Sequence, residues 1–375
     1  MKRALVVVSK MDTGGAETMM MKYYRALDKT KYQLDFAVST DEEGFYDAEI
    51  KSLGGRIIRV TKKSSNPVKA MADIYRIARS GTYCCVIRNA ENAMASLDLL
   101  VARLGGVGNT VFRSTNSNTS GKSAFERLSH ILGMPILKIA TKRMVAPSGV
   151  AARFMFGDKA VREGRYTLLP NAIAFEDYAF DADKRRILRD EHHISENTLM
   201  LGTVGRMVEQ KNQAYSLDVL KELSNRGINA RLFLVGKGDK RQALEDKAQA
   251  DGIFSKVTFL PPTPQVASLY SMFDVLLLPS FFEGMPNVLI EAQASGLTCI
   301  TSDKVTPEAK LLDSTRYLPI TQDAVSDWAD ACSAPNGTED RLSIGRAILN
   351  SPFNMHEAVK TFVAVVFGDG QTARR

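Results

Sequence analysis

Short apolar runs rich in β-branched residues alternate with stretches of helical spacing along the whole chain. In the first half the runs predict strands at Ala4–Val8, Gln33–Val38, Arg56–Val60, Cys84–Arg88, Thr110–Arg113 and Arg143–Ala146. In the second half they predict strands at Met200–Val204, Ala230–Val235, Val257–Leu260, Val275–Pro279, Thr298–Thr301 and Arg316–Pro319. Strands that alternate with helices build βαβ units on parallel sheets, so two such series predict two doubly wound α/β domains. The join is expected at Leu168-Leu169-Pro170-Asn171-Ala172-Ile173, where proline and asparagine end the first series, dividing the chain into 1–170 and 171–354. A last helix over 355–368, with Ala358, Phe362, Val365 and Val366 at helical spacing, is expected to return to the first domain.

Composition narrows the class. The chain has 375 residues, 45% hydrophobic and 24% charged. That is the balance of an ordinary globular protein of two domains, and it excludes a disordered, collagenous or membrane-embedded chain. Cys84, Cys85, Cys299 and Cys332 are too few and too scattered for a disulfide framework, so a reducing cytoplasmic setting is expected. The apolar run at Ala4–Val8 is shorter than the core of a secretion signal. The apolar stretch around Leu269–Phe282 is cut by Asp274 and Pro279, so any membrane contact is expected to be peripheral.

Charge is unevenly placed. Residues 1–170 carry 27 Lys and Arg against 15 Asp and Glu, a surplus of +12, whereas 171–375 carry 22 against 27, or −5. A basic half attracts nucleic acid, anionic lipid or a phosphorylated acceptor, and charge alone does not choose among them. Dispersed basic residues without an aromatic stacking motif or a zinc finger argue against nucleic acid. For lipid, the expected contributors are Lys62, Lys63, Arg76 and Arg79, with Lys138, Lys142 and Arg143 as weaker candidates because their stretch is expected to be partly buried.

Three segments carry candidate chemistry. Gly14 and Gly15 lie between the first strand and a helix continued by Met19, Met20, Tyr23, Tyr24 and Leu27. Paired glycines let backbone approach a ligand, and a helix start offers free N–H groups to an anion, although such a junction is equally an ordinary tight turn. It is neither the dinucleotide fingerprint nor a P-loop. Next, the strand ending at Val204 runs into Gly205 and presents Arg206 and Lys211 at the carboxyl edge of a parallel sheet, where two fixed cations suit a diphosphate. The third segment is Pro279 to Ala292. Here Gly284, Met285, Pro286, Asn287 and Val288 form a glycine loop entering a helix, flanked by Glu283 and Glu291. Eight helical residues span about 12 Å, comparable to a diphosphate with a sugar at each end.

Together these residues resemble the retaining glycosyltransferases of the GT-B fold, family four, whose mark is the Glu-x7-Glu motif matched by Glu283 and Glu291. The resemblance extends over Gly14-Gly15-Ala16-Glu17, Leu169–Ile173, Gly205-Arg206, Lys211-Asn212 and the run from Glu283 to Ser302, and is strongest to bacterial capsular and exopolysaccharide enzymes. It implies two Rossmann-like domains facing a cleft that closes on substrate, the first binding acceptor and the second a nucleotide-sugar. It further implies Arg206 and Lys211 on the diphosphate, approached also by Gly14 and Gly15. Glu291 would hold ribose, Glu283 the transferred hexose, and Phe259 and Leu260 the base. No metal or other cofactor is implied.

The expected reaction moves a hexosyl or N-acetylhexosaminyl group from a UDP-sugar to a glycan linked to a polyprenyl diphosphate, by an enzyme peripheral at the inner face of the cell membrane. An epimerase or a sugar phosphorylase on the same fold is the alternative within enzymes. Relatives tend to carry histidines at the end of the fifth strand. This chain has Arg113, Ser114, Thr115 and Asn116 there instead, so Arg113, Thr115 and Asn116 are the expected acceptor-side residues. The four histidines, His130, His192, His193 and His356, are expected to be structural or exposed.

Overall fold

A computed structural model describes residues 1–12, 14–115 and 123–369. The chain divides into two units, Met1–Ala172 together with the segment opening at Met355, and Ile173–Asn354.

The first unit is built on seven parallel strands: β1 (Lys2–Val8), β2 (Tyr32–Val38), β3 (Ile57–Arg59), β4 (Cys85–Ala90), β5 (Asn109–Ser114), β6 (Arg143–Ala146) and β7 (Tyr166–Leu168), in the spatial order β3-β2-β1-β4-β5-β6-β7. The second carries six: β8 (Leu199–Val204), β9 (Ala230–Val235), β10 (Val257–Leu260), β11 (Val275–Leu278), β12 (Thr298–Ser302) and β13 (Thr315–Leu318), in the order β10-β9-β8-β11-β12-β13. Every expected strand forms. β7 was not expected: its three half-buried residues at the sheet edge lack the apolar run that marks a buried strand.

Helices cover both faces of each sheet, which explains the continuous apolar runs. Ala4, Val6 and Val8 of β1 pack into one core cluster and Leu5 and Val7 into another. In β11, Leu276 and Leu278 face one side while Val275 and Leu277 face the other. The helix Met355–Phe367 packs on the first unit, its Phe362 ring stacked on Tyr23 with centroids 5.1 Å apart. The amide of Asn109 donates to the carbonyls of Val365 and Val366, both at 3.0 Å.

Strand order reverses direction between β1 and β4 in the first sheet and between β8 and β11 in the second. Open α/β sheets bind ligands outside the carboxyl ends of their strands at such switch points. Most of the expected site residues lie at these two places, while Phe259 and Leu260 end the edge strand β10.

Candidate active site

At the β8 switch point, the chain leaves the sheet through Gly205, whose φ of +147° favours glycine. After β9 it does so again through Gly236, φ +149°, where a Cβ would overlap the carbonyl oxygen of Gly205. The two loops are then joined: Met207 N–H donates to Lys237 C=O (2.9 Å) and Lys240 N–H to Met207 C=O (3.0 Å). A short turn, Glu209–Lys211, follows and is closed by Asn212 in the left-handed region at φ +50°.

That turn is bound to the loop after β11. Phe281 N–H donates to Gln210 C=O at 2.9 Å, and the Gln210 side-chain amide donates to Phe282 C=O at 2.9 Å. The Lys211 ammonium is thereby brought 2.5 Å from Glu283 Oε1, which also accepts from the Ser280 hydroxyl at 3.1 Å. Both side chains of the pair are largely buried. Arg206 is exposed and makes no ion pair with a described residue. The helix Asn287–Ala294 starts at Pro286 without any side-chain cap, and Gly284 and Met285 form the loop that enters it. Its first N–H groups, around Asn287 and Val288, therefore face the loop free of a side-chain acceptor and with the positive end of the helix dipole.

Glu291 lies one helical stretch further on, where the Tyr270 hydroxyl donates to its Oε2 at 2.8 Å and Tyr178 adds a second hydrogen bond. Burial, then the charge of Glu291, pushes both phenols upward, so they remain donors to the carboxylate. Tyr270 is in turn fixed by the buried Arg341, whose guanidinium donates to the carbonyls of Tyr270 (2.7 Å) and Phe273 (2.9 Å). Phe259 and Leu260 end β10 as expected, but the Leu260 carbonyl already accepts the Gly236 N–H at 2.9 Å, so part of the anticipated backbone contact to a base is engaged within the fold. The Arg241 guanidinium lies 5.3 Å from the Phe259 ring centroid.

The other switch point forms a cavity of about 620 Å³ in the first unit, lined by Gly14, Gly15, Glu17, Arg88, Asn89 and Arg113 among others. Gly14 caps the helix Gly15–Ala26 without a side-chain hydrogen bond, and a Cβ on Gly15 would meet only open space. Arg113 is 3% exposed; its Nη2 lies 3.4 Å from Asn171 Oδ1, and its Nε has no partner. Burial lowers the pKa of both Arg88 and Arg113, with Asp98 and Glu17 opposing this for Arg88, and Tyr23 and Glu17 for Arg113. Arg113 is buried and Arg88 is half-buried and paired with Asp98 at 3.0 Å; together with the unpartnered side-chain amide of Asn89 they set hydrogen-bond donors in a cavity that Glu17, Glu91 and Glu126 also line. Thr115 lines the same cavity, while Asn116 lies outside the described residues. His130 accepts the Ala93 N–H at 3.2 Å and stacks on Phe154, a structural role.

Sequence reasoning missed Asn89, Gln210, Gly236, Tyr178 and Tyr270. Only Gly236 carried a local signal, a strand followed by Gly-Lys-Gly. Lys138, Lys142 and Arg143, expected to be partly buried, are exposed. Lys63 is instead committed to the buried Asp98 at 2.7 Å, and Arg76 to Asp73 at 2.5 Å.

Residues 198–334, which contain Gly205, Arg206, Lys211, Glu283 and Glu291, match the family described as glycosyl transferases group 1. Across 374 residues the chain is 36% identical to EpsF of Bacillus subtilis (strain 168), named as an inferred glycosyltransferase, covering 97% of this chain and 96% of that relative. The chain belongs to the group 1 glycosyltransferases. A further relative of this glycosyltransferase is the Escherichia coli UDP-Gal:alpha-D-GlcNAc-diphosphoundecaprenol alpha-1,3-galactosyltransferase, 23% identical over 242 residues, 63% of this chain and 62% of the relative. Its fold is GT-B, shared with Anabaena HepE crystallised with UDP at a TM-score of 0.78 and 14% identity, covering 98% of this chain and all of that one. Among the described residues of this glycosyltransferase, no helix is long and apolar enough to cross a membrane.

Proposed function

We propose that this glycosyltransferase moves a hexosyl or N-acetylhexosaminyl group from a UDP-sugar, with retention of configuration, to a glycan carried on a polyprenyl diphosphate, during synthesis of a surface polysaccharide at the inner face of the cell membrane. The observation that carries the reading is the Lys211–Glu283 pair, held between the free Arg206 and the uncapped start of the helix Asn287–Ala294. Supporting the donor are the HepE structures with UDP and with UDP-glucose, and supporting the acceptor is the lipid diphosphate in the name of the Escherichia coli relative.

In this reading the bond from the anomeric carbon to the diphosphate oxygen breaks while the acceptor hydroxyl bonds to that carbon from the same face, its proton passing to the departing oxygen. Arg206, Lys211 and the N–H groups near Asn287 and Val288 meet the charge that grows on the diphosphate, and the reading assigns no metal to this task. Glu283 holds hydroxyls of the transferred sugar and Glu291, clamped by Tyr270, holds the ribose. Arg113 and Thr115 of the first unit serve the acceptor.

Calorimetry with UDP, GDP and ADP, followed by NMR of the transfer product, tests the proposal. It expects tight binding of UDP alone and a product with the anomeric configuration of the donor. An inverted product, or epimerised donor without any acceptor, overturns it.

A further inference from the structure

The helix Ala124–Ala140, opened by a reciprocal Ser123/Glu126 capping box, is apolar on both sides. Inward, Leu137 and Ala140 join the core with Val86 and Phe112, and Gly133 meets the backbone of Ala93 and Met94 where no Cβ would fit. Outward, Phe125, Leu128, Ile131, Leu132 and Ile139 are 55–79% exposed. At 3.6 residues per turn, Phe125, Leu128, Leu132 and Ile139 share a stripe about 60° wide, with Ile131 about 60° further round the helix. Leu104 at the end of the preceding helix is also exposed, and its neighbour Arg103 donates to the Ile139 carbonyl.

A helix that faces water carries polar residues on its outer side, and a contiguous exposed apolar patch marks a docking surface. What docks is indicated by the rim. Arg127, Lys138, Lys142 and Arg143 are exposed around the stripe, and none forms an ion pair with a described residue. The one acid of the helix, Glu126, is engaged in the capping box and lines the cavity that holds Arg113. An apolar stripe with a predominantly cationic rim matches acyl chains bordered by anionic headgroups. A second copy of the same face would set cation against cation.

We propose that the helix Ala124–Ala140 lies in the interface of an anionic bilayer, with Leu128, Leu132 and Ile139 among the acyl chains and Arg127 and Lys138 at the lipid phosphates. The proposal deepens the lipid-linked acceptor reading and rests on it: because Glu126 of the same helix lines the cavity with Arg113, docking brings that cavity to the depth of a lipid diphosphate.

The full chain is sedimented with vesicles of phosphatidylcholine alone and of equimolar phosphatidylcholine and phosphatidylglycerol, at low and high salt. The wild type sediments with the anionic vesicles and retains part of its binding at high salt, because apolar insertion is not screened. The variant Leu128→Gln/Leu132→Gln/Ile139→Gln partitions about tenfold less or weaker still, with unchanged Tm and UDP affinity. Arg127→Gln/Lys138→Gln loses the preference for anionic lipid while keeping its fold. The proposal is overturned by a triple variant that partitions like the wild type, by a wild type that ignores anionic vesicles, or by a wild-type dimer that the triple substitution makes monomeric. A wild type that sediments with vesicles but does not bind UDP overturns the donor assignment and supports the docking face.

Discussion

Lys211 and Glu283 come from loops after two different strands, yet their charged atoms stand 2.5 Å apart in a largely buried pair. The pair exists because β8 and β11 are neighbours at the point where the strand order reverses, and because Phe281 and Gln210 tie the two loops through backbone and side-chain hydrogen bonds. In the proposed reading, the cation that meets the diphosphate and the carboxylate that holds the sugar beside it are thus set in place before substrate arrives, the preorganisation that electrostatic catalysis requires.

Replacing Lys211 by alanine is expected to lower transfer at least ~100-fold, the loss typical of a charge partner of the transition state. Between the limits for exposed and fully buried pairs, the lone Glu283 carboxylate left behind costs about 1–3 kcal/mol of stability. The double change Lys211→Met/Glu283→Gln restores the Tm but not the activity. Initial rates and thermal melts on the three proteins separate the two effects, and near-wild-type transfer by Lys211→Ala removes the assignment.

Tyr270→Phe deletes the hydroxyl that donates to Glu291 while conserving the buried ring. A hydrogen bond to a charged group is worth about 1.5–3 kcal/mol, so the Kd for UDP should rise about tenfold or more. Calorimetry measures this directly. An unchanged Kd would separate Glu291 from nucleotide binding.

Arg113 lies in the cavity of the first unit, so Arg113→Met is expected to reduce kcat/KM for the acceptor about tenfold or more and to leave UDP affinity unaltered. Steady-state kinetics with acceptor varied, alongside UDP titration, checks it. A variant that loses UDP affinity and keeps its acceptor kinetics would reassign this cavity to the donor.

Alkaline pH should destabilise the fold. Burial pushes Tyr24, Tyr215 and Tyr317 up to about 12 from the ordinary value of 10.0. The three hydroxyls donate to Gln33, Thr321 and Thr306 respectively. A phenol that stays neutral in the fold but ionises in the unfolded chain contributes stability that is present below pH 10 and is lost as the pH rises through about 12. The Tm should therefore fall between pH 9 and pH 11, and less steeply in Tyr24→Phe. An equal slope in that variant would assign the effect to other groups.

The alternation of apolar runs with helical spacing by itself determined the parallel α/β architecture, because a strand buried on both faces must be apolar throughout and a parallel crossover must be helical. Glycine at the ends of β1 and β8, and the spacing of Glu283 and Glu291, were equally local and equally legible. Tertiary structure decided what no local pattern encodes. The half-buried edge strand β7 is defined by its pairing with β6 rather than by its own composition. Tyr270 reaches Glu291 only through the packing of the second unit around Arg341. Which side of the doubly apolar helix Ala124–Ala140 is buried depends on where Gly133 meets Ala93 and Met94, since periodicity cannot orient a helix that is hydrophobic on both faces.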